Sequence, residues 1–368
     1  MSTDDTLSLD SDGPATRTGW TRDQAAGAAI GGLAIALVGV ALFSLATGPI
    51  QLPVFDMLLG LLTGTYSLDD PAAIRDRIVL LDIRLPRVLL GGLIGAALAV
   101  TGAVLQGLFR NPLADPGLVG VSAGAGLGAA SFIVLGSSTL APIANLLGIY
   151  AVPLAAFFGG LATTWLLYKN GTRGGITSIA TLLLAGIALG ALAGAATGLL
   201  VYIADDQQLR DLNFWGLGSL AGASWDKLMA AGPIIACAFV TVFFLTRGLN
   251  GLMLGEAAAQ HIGIRVQRLK NLAILSVAAA TGASVAVSGG IGFVGIVVPH
   301  LLRLTIGPDH RYLLPACALL GASLLILADT VSRTLVAPAE LPIGILTAFA
   351  GAPFFLWILL RKKGPVGF

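Results

Sequence analysis

Hydrophobic residues occur along this chain in long, nearly unbroken runs, and the polar residues collect in the short breaks between them. A run of about 20 apolar residues is the length that carries a helix across the hydrocarbon core of a bilayer. Ten spans fit at that length, near residues 24–47, 86–109, 118–137, 143–168, 178–203, 227–247, 271–289, 291–306, 312–333 and 342–360. Leu272 to Ile306 is one almost continuous run, too long for a single crossing, and Ser288-Gly289-Gly290 is its natural break. The pattern predicts an all-α polytopic membrane protein, with a disordered tail over 1–23 and a ten-helix transmembrane domain over 24–363.

Composition agrees. Of 368 residues, 56% are hydrophobic and 11% charged, outside the range of a soluble domain. A net charge of +2 without a basic block argues against a nucleic-acid partner. Cys237 and Cys317 fall inside apolar runs, where a cysteine is a small buried hydrophobe, so no disulfide framework is implied. The tail is acidic (Asp4, Asp5, Asp10, Asp12), and the apolar run after Arg22 is too long for a signal peptide, so it reads as an uncleaved first span.

Orientation follows from lysine and arginine, which favour the cytoplasmic side. With both termini inside, Arg17, Arg22, Arg110, Lys169, Arg173, Arg247, Arg265, Arg268, Lys270, Arg303, Arg311, Arg361, Lys362 and Lys363 lie in the cytoplasm. Only Arg75, Arg77, Arg84, Arg87, Arg210, Lys227 and Arg333 are left outside. Two segments, 48–85 and 204–226, then become the longer periplasmic connections, and Phe214 and Trp215 in the second suit the membrane interface.

A polar, helix-capable insert, Leu252 to Lys270, lies on the cytoplasmic side. Glu256, Ala257, Ala258, Ala259 and Gln260 are strong helix formers, Glu256 sits at the positive end of the helix dipole, and Gly263 is placed to end the helix. Two short helices joined at that glycine, with alanines on the surface, would make a low knob for a soluble partner; an ordinary basic loop is the alternative. Small residues form ladders in three spans. Gly91, Gly95, Ala99, Ala103 and Gly107, and likewise Gly120, Gly124 and Gly128, read as packing faces. Gly186, Gly190, Gly194 and Gly198 run the length of the fifth span and read as a pathway-lining or sliding face.

Several chemistries are missing. There is no GxxxxGK[ST] phosphate loop and no HExxH, and His261, His300 and His310 are scattered, so the chain holds neither an ATPase nor a zinc protease motif. Acidic residues avoid the span interiors, Asp329 near the outer end of the ninth being the nearest case, so no proton relay is evident. His300 follows Pro299 in a span and reads as structural rather than as a ligand. The energy source is therefore expected on another polypeptide. Arg84 and Arg87 in RLPR, with Arg333, all fall on the outer rim, where they would anchor lipid headgroups or together form a basic ring for an acidic partner.

The runs RLPRVLLGGLIGAALAVTGAVLQGLFRNPLADPGLVGVSAGAGLGA, LGEAAAQHIG and SGGIGFVGIVVPHLLRLTIGPDHR, continuing to LLPACALLGASLLILADTVSRTLVAPAELPIGILTAFAGAPFFLWILL, closely resemble the permeases of ABC importers for iron-siderophores, heme and vitamin B12. The likeness extends from Arg84 to Arg361. It implies the type II importer permease fold, in a homodimer with two cytoplasmic ATPases that bind ATP and Mg, and a periplasmic substrate-binding protein, all in a bacterial inner membrane. No cofactor or metal is expected on this chain. It further implies that Leu254, Gly255, Glu256, Ala257, Ala258, Ala259 and Gly263 form the coupling helix, and that Arg84, Arg87 and Arg333 dock the binding protein. Thr177 and Ser178 match the cytoplasmic gate, and the span of Gly186, Gly190, Gly194 and Gly198 lines the pathway at the dimer interface. QLRDLNFWGLGSLAGASW resembles the heme-importing branch, making heme the expected cargo, with ferric siderophore or cobalamin as alternatives. An ion-gradient-driven secondary transporter is the rival of a different class.

Overall fold

Thr21 opens the first helix with a reciprocal cap: its hydroxyl accepts from the Gln24 backbone, and the Gln24 side chain accepts from the Thr21 N–H. The helix so started, α1 (Arg22–Ala46), begins the computed structural model, which describes residues 21–64, 71–173 and 176–361. Nearly all of the expected disordered tail lies outside those residues, as do Lys362 and Lys363. In the first long connection, α2 (Val54–Thr63) is followed by α3 (Pro71–Ile78), which passes through one π turn, Val79–Arg84, into α4 (Leu85–Phe109).

Next come α5 (Val121–Leu135), α6 (Ala141–Leu147) and α7 (Ala151–Gly171), and a small hairpin pairs Thr172 with Thr177 and Arg173 with Ile176. Ser178 caps α8 (Ile179–Ile203), and Asp205 with Gln208 forms a capping box on α9 (Asp206–Leu217). The chain closes with α10 (Trp225–Leu252), α11 (Glu256–His261), α12 (Val266–Ser288), α13 (Val294–Thr305), α14 (His310–Leu335) and α15 (Ile343–Arg361). Apart from the hairpin, the described residues are helical or in connections.

Seven helical stretches are long and apolar enough to cross a bilayer unaided: α1, α3 with α4, α6 with α7, α8, α10, α12 and α14. The three remaining expected spans coincide with shorter apolar helices, α5, α13 and α15. Two of these are shortened for visible reasons. Before α5, the Asp115 carboxylate accepts from Gly117 N at 2.8 Å and caps a single 3-10 turn, Pro116–Val119, which replaces the first expected turn of helix. Before α13, the chain from Gly289 to Phe293 is not helical, and Gly289 takes a φ of +71°.

Non-helical backbone at membrane depth must be satisfied by protein. Gly290 N donates to Trp215 O, Ser219 N to Ser288 O at 2.7 Å, and Ile343 N to Gly218 O at 3.0 Å. The α9–α10 connection thus stitches the end of α12 to the start of α15. The break expected at Ser288-Gly289-Gly290 is where α12 ends.

The centre of the bundle is α4, buried along almost its whole length and packed on α10, α12, α13 and α14. Its small-residue ladder makes that possible. A Cβ on Gly95 would meet the Gly321 backbone and lie 2.8 Å from Leu325 Cβ; one on Gly102 would meet the Gly295 backbone. These contacts are closer than any side chain permits, so α14 and α13 lie directly on α4. Gly124 and Gly128 of α5 meet Gly159 and Ala155 of α7 in the same way. At one end, Gln106 Nε2 donates to Gly295 O at 3.0 Å, and Arg303 donates to Gln106 Oε1, tying α13 to α4.

Gly95→Val forces α14 off α4, and the expected loss exceeds the ~1–3 kcal/mol of ordinary overpacking. Gly32→Val is the control, since a Cβ at Gly32 has nothing within 4 Å. Thermal unfolding of the detergent-purified protein should separate the two; equal midpoints would contradict the close packing described.

Candidate functional site

The polar insert forms α11, entered through Gly255 at φ +106° and left through Gly263 at φ +84°. Both angles belong to the region that favours glycine, so Gly263 ends the helix as its position predicts. Met253, Leu254 and Ile262 are exposed, at 42%, 72% and 63%, and Ala257 is exposed beside them, forming an apolar knob on the bundle end. Two expectations are corrected here. Ala259 is fully buried and Ala258 partly so; the helix is anchored by its inward alanine rather than presenting all three. The basic segment after Gly263 is not a second short helix either: α12 starts at Val266 and carries Arg268 and Lys270 in its first turns.

Lys270 is 2% exposed, and its ammonium is held between Glu256 Oε1 of α11 at 2.8 Å and the Thr177 carbonyl at 3.0 Å. Thr177 is itself buried, and Gln267, one turn before Lys270, grips it from the other side. Gln267 Oε1 accepts from Thr177 N at 3.1 Å, and its Nε2 donates to Thr177 Oγ1 at 2.5 Å. Tyr168 of α7 donates to Asn271 Oδ1 at 2.7 Å and completes the cluster. Ser178, next in the chain, accepts from Thr181 N and starts α8. The structure therefore brings the expected coupling and gate residues together through one buried lysine.

The ladder of α8 is divided. Gly186 is buried, Gly190 approaches Ala123 Cβ at 4.0 Å, and a Cβ on Gly194 or Gly198 would have nothing within 4 Å. Half of the face is thus packed on the chain itself, and the half toward α9 is open.

The expected docking arginines lie at the α9 end. Arg84, Arg87 and Arg333, the residues expected on the outer rim, are 3%, 7% and 4% exposed and are committed to partners within the chain. Arg84 donates to the Leu45 carbonyl at 2.6 Å and to those of Ala46 and Ile50, closing the end of α1. Arg87 lies between two acids, with Nη2 2.9 Å from both Asp329 Oδ1 and Glu340 Oε2. Arg333 donates to Ser44, to its carbonyl and, at 2.8 Å, to its hydroxyl, and Asp329 Oδ2 is 3.9 Å from its Nε. A buried guanidinium needs such partners, because desolvation is otherwise uncompensated. Glu340, in the α14–α15 connection, has its carboxyl held below the usual value of 4.5 by the hydrogen bonds from Arg87, against partial burial.

Sequence reasoning did not single out Glu340, Gln267 or the pairing of Lys270. Glu340 meets Arg87 across 253 positions, and nothing local marks it. Lys270 carries a faint signal, a lysine at the border between a basic loop and an apolar run. His300 packs edge-on against Phe354, its centroid 6.4 Å away, in keeping with a structural role. Among the described residues no group of three or more His, Cys, Asp or Glu is placed to hold a metal ion.

A model of the FecCD transport family matches residues 35–361. The chain is 51% identical over 283 residues to the hemin transport system permease protein HmuU of Yersinia pestis, covering 77% of this chain and 83% of that protein. It is 43% identical over 281 residues to the cobalamin import system permease protein BtuC of Halobacterium salinarum, covering 76% of this chain and 73% of that one. A solved inward-facing conformation of a transporter assigned to the metal-chelate ABC type is similar at TM-score 0.79 and 34% identity, covering 91% of this chain and 99% of the other.

The Arg87 cluster predicts unequal losses. Asp329→Asn leaves a buried guanidinium short of charge and should cost about 3 kcal/mol. Glu340→Gln, at a side chain 35% exposed, should cost less than about 1 kcal/mol. A lowered carboxyl pKa stabilises the fold fully above its ordinary 4.5, and that contribution is lost as pH falls through the lowered value. Below pH 4.5 the parent should therefore lose stability more steeply than Glu340→Gln; parallel acid-unfolding curves would exclude the Glu340 contribution.

Proposed function

The chain belongs to the FecCD transport family, and from that premise we propose that it is the multi-pass permease of an ATP-driven importer that carries heme inward by alternating access. The working unit in this reading is a homodimer of ten-span subunits in a bacterial inner membrane, with all termini cytoplasmic. Two ATPase chains bind ATP and Mg beneath it, and a periplasmic binding protein delivers the cargo. This chain binds no cofactor of its own and hydrolyses nothing.

The observation that carries the coupling reading is the Glu256–Lys270–Thr177 junction. Leu254, Gly255, Glu256, Ala257, Ala258, Ala259 and Gly263 form the seat for the ATPase, and the exposed apolar surface of Met253, Leu254 and Ile262 supports an unfilled partner contact there. Thr177 and Ser178 act as the inner gate at the start of α8. The open outer half of the α8 ladder, at Gly194 and Gly198, supports a pathway or dimer-interface role for that helix. Docking of the binding protein at Arg84, Arg87 and Arg333 requires rearrangement, because Glu340 and Asp329 already hold Arg87.

Heme as cargo is supported by the higher identity to the hemin permease, 51% against 43% for the corrinoid permease. That same 43% likeness favours cobalamin as the second reading, with ferric siderophores a third member of the metal-chelate class.

Reconstitution of the chain with its ATPase and binding protein, followed by ATP-dependent uptake of heme, cobalamin and a ferric siderophore side by side, tests the assignment. Heme should be taken up preferentially, and liposomes holding the permease alone should take up none. Gradient-driven uptake without the ATPase would overturn the reading in favour of a secondary transporter. Lys270→Met should lower uptake about tenfold or more, equivalent to ~1.4 kcal/mol in the limiting step, with the ATPase still bound. Ala258→Trp should instead reduce recovery of the ATPase complex. Normal transport in both would sink the coupling role of α11.

A further inference from the structure

A groove of about 710 Å³ lies between α10 and α14, within the ~300–1,000 Å³ typical of small-molecule sites. Its floor is Val100 of α4, and its walls are apolar: Phe239, Val242 and Phe243 from α10, and Leu314, Pro315 and Ala318 from α14. Phe243 and Phe244 are 70% and 76% exposed. At one end only, the lining turns polar, with Arg247 and Arg311.

The two arginines share a level because the helix ends are tied together. Asn250 Nδ2 donates to Asp309 Oδ1 at 2.7 Å, and Asn250 Oδ1 accepts from His310 N at 2.9 Å. Arg247 lies one turn before that tie and Arg311 just after it, both exposed. Neither has an ion-pair partner within 4.0 Å among the described residues, and the lining contains no acid. The nearest carboxylate in sequence, Asp309, is engaged by Asn250 and the Arg311 backbone. Arg311 leans on its neighbour Tyr312, with Cζ 5.6 Å from the ring centroid.

We propose that this groove binds one anionic phospholipid of the surrounding bilayer, its headgroup phosphate between Arg247 and Arg311 and an acyl chain along Phe239, Phe243, Leu314 and Ala318. The charge layout selects the occupant. Two unpaired guanidiniums at one mouth of an apolar, membrane-facing slot match an amphiphile with one anionic end, and a planar guanidinium is suited to a phosphate. The groove is also at the α11 end of the bundle, where basic residues meet anionic headgroups. Pro315 adds to the polar mouth: lacking an N–H, it leaves the Arg311 carbonyl without its usual helical donor, free to accept from a headgroup hydroxyl.

The test uses the full chain purified in detergent, titrated with dioleoyl-phosphatidylglycerol or dioleoyl-phosphatidylcholine, with bound lipid counted by native mass spectrometry. Phosphatidylglycerol should bind about thirtyfold tighter than phosphatidylcholine, the size expected from two basic contacts to an anionic headgroup. The double variant Arg247→Gln/Arg311→Gln should bind the two lipids equally. Ala318→Trp, which fills the apolar part and leaves both arginines, should also lose the tightly held lipid. Lys169→Gln, a basic residue at the same end but outside the groove, should behave as the parent. The proposal is overturned if the parent holds both lipids equally, if the double variant keeps its preference, if Ala318→Trp retains the lipid, or if inorganic phosphate displaces it.

Discussion

A lysine ammonium buried to 2% exposure is the constraint on which the α11 end of this protein depends. Left alone in a dry site, such a charge is too costly to keep, so Lys270 must hold partners, and it has two from different parts of the chain. Glu256 supplies the compensating charge from α11, and Thr177 supplies a carbonyl from the strand before α8. The lysine is what makes the position of a surface knob and the position of a helix start one variable rather than two.

The opposite end is organised by the same physics with the signs arranged differently. Arg84 spends its donors on backbone carbonyls at the end of α1, Arg333 on Ser44, and Arg87 on a pair of acids. Between these two ends, α4 is sealed by backbone contact through Gly95 and Gly102, with no charged group in that stretch. The charged groups named here are gathered at the two bundle ends, and the polar side chains between them are hydroxyls such as Thr101, Thr281 and Ser284.

How much of this was legible depended on the range of the interaction. The helices were readable because apolar runs and capping residues act within a few positions: Gly263 ending α11, Ser178 opening α8, and Gly289 closing α12 all sit where local pattern put them. The packing ladders of α4 and α5 were readable for the same reason, since four-residue spacing fixes a face. The arginines were found as residues but not as environments. Arg87 joins Glu340 over 253 positions and Asp329 over 242, and no local pattern distinguishes a guanidinium that faces water from one sealed by distant acids. Ala259 was misjudged for a related reason: a six-residue helix is too short for periodicity to say which alanine turns inward.

The element that joins the two ends is α12. It is an uninterrupted helix of 23 residues, about 34 Å at 1.5 Å per residue, with Lys270 near its first turn and Ser288 at its last. Of its buried hydroxyls, Ser284 donates to the Ala280 carbonyl at 2.7 Å and Ser288 to that of Ser284 at 2.9 Å, while Thr281 donates across to the Thr101 hydroxyl of α4 at 3.4 Å. Its connections are concentrated where it stops: the lysine junction at one end, and at the other the Ser288 carbonyl, which accepts from Ser219 N at 2.7 Å. That second contact leads through Gly218 to the start of α15. Between its tips α12 is packed on α4, α5, α7 and α10, so a displacement at one tip must carry those contacts with it to reach the other. At the far tip, Gly289 and Gly290 meet the backbone of Trp215 and Gly216, and Gly344 that of Leu217, beside the side-chain cluster of Val285, Ala286 and Trp215. Glycine at those positions lets the three connections approach at backbone distance, which a Cβ would prevent.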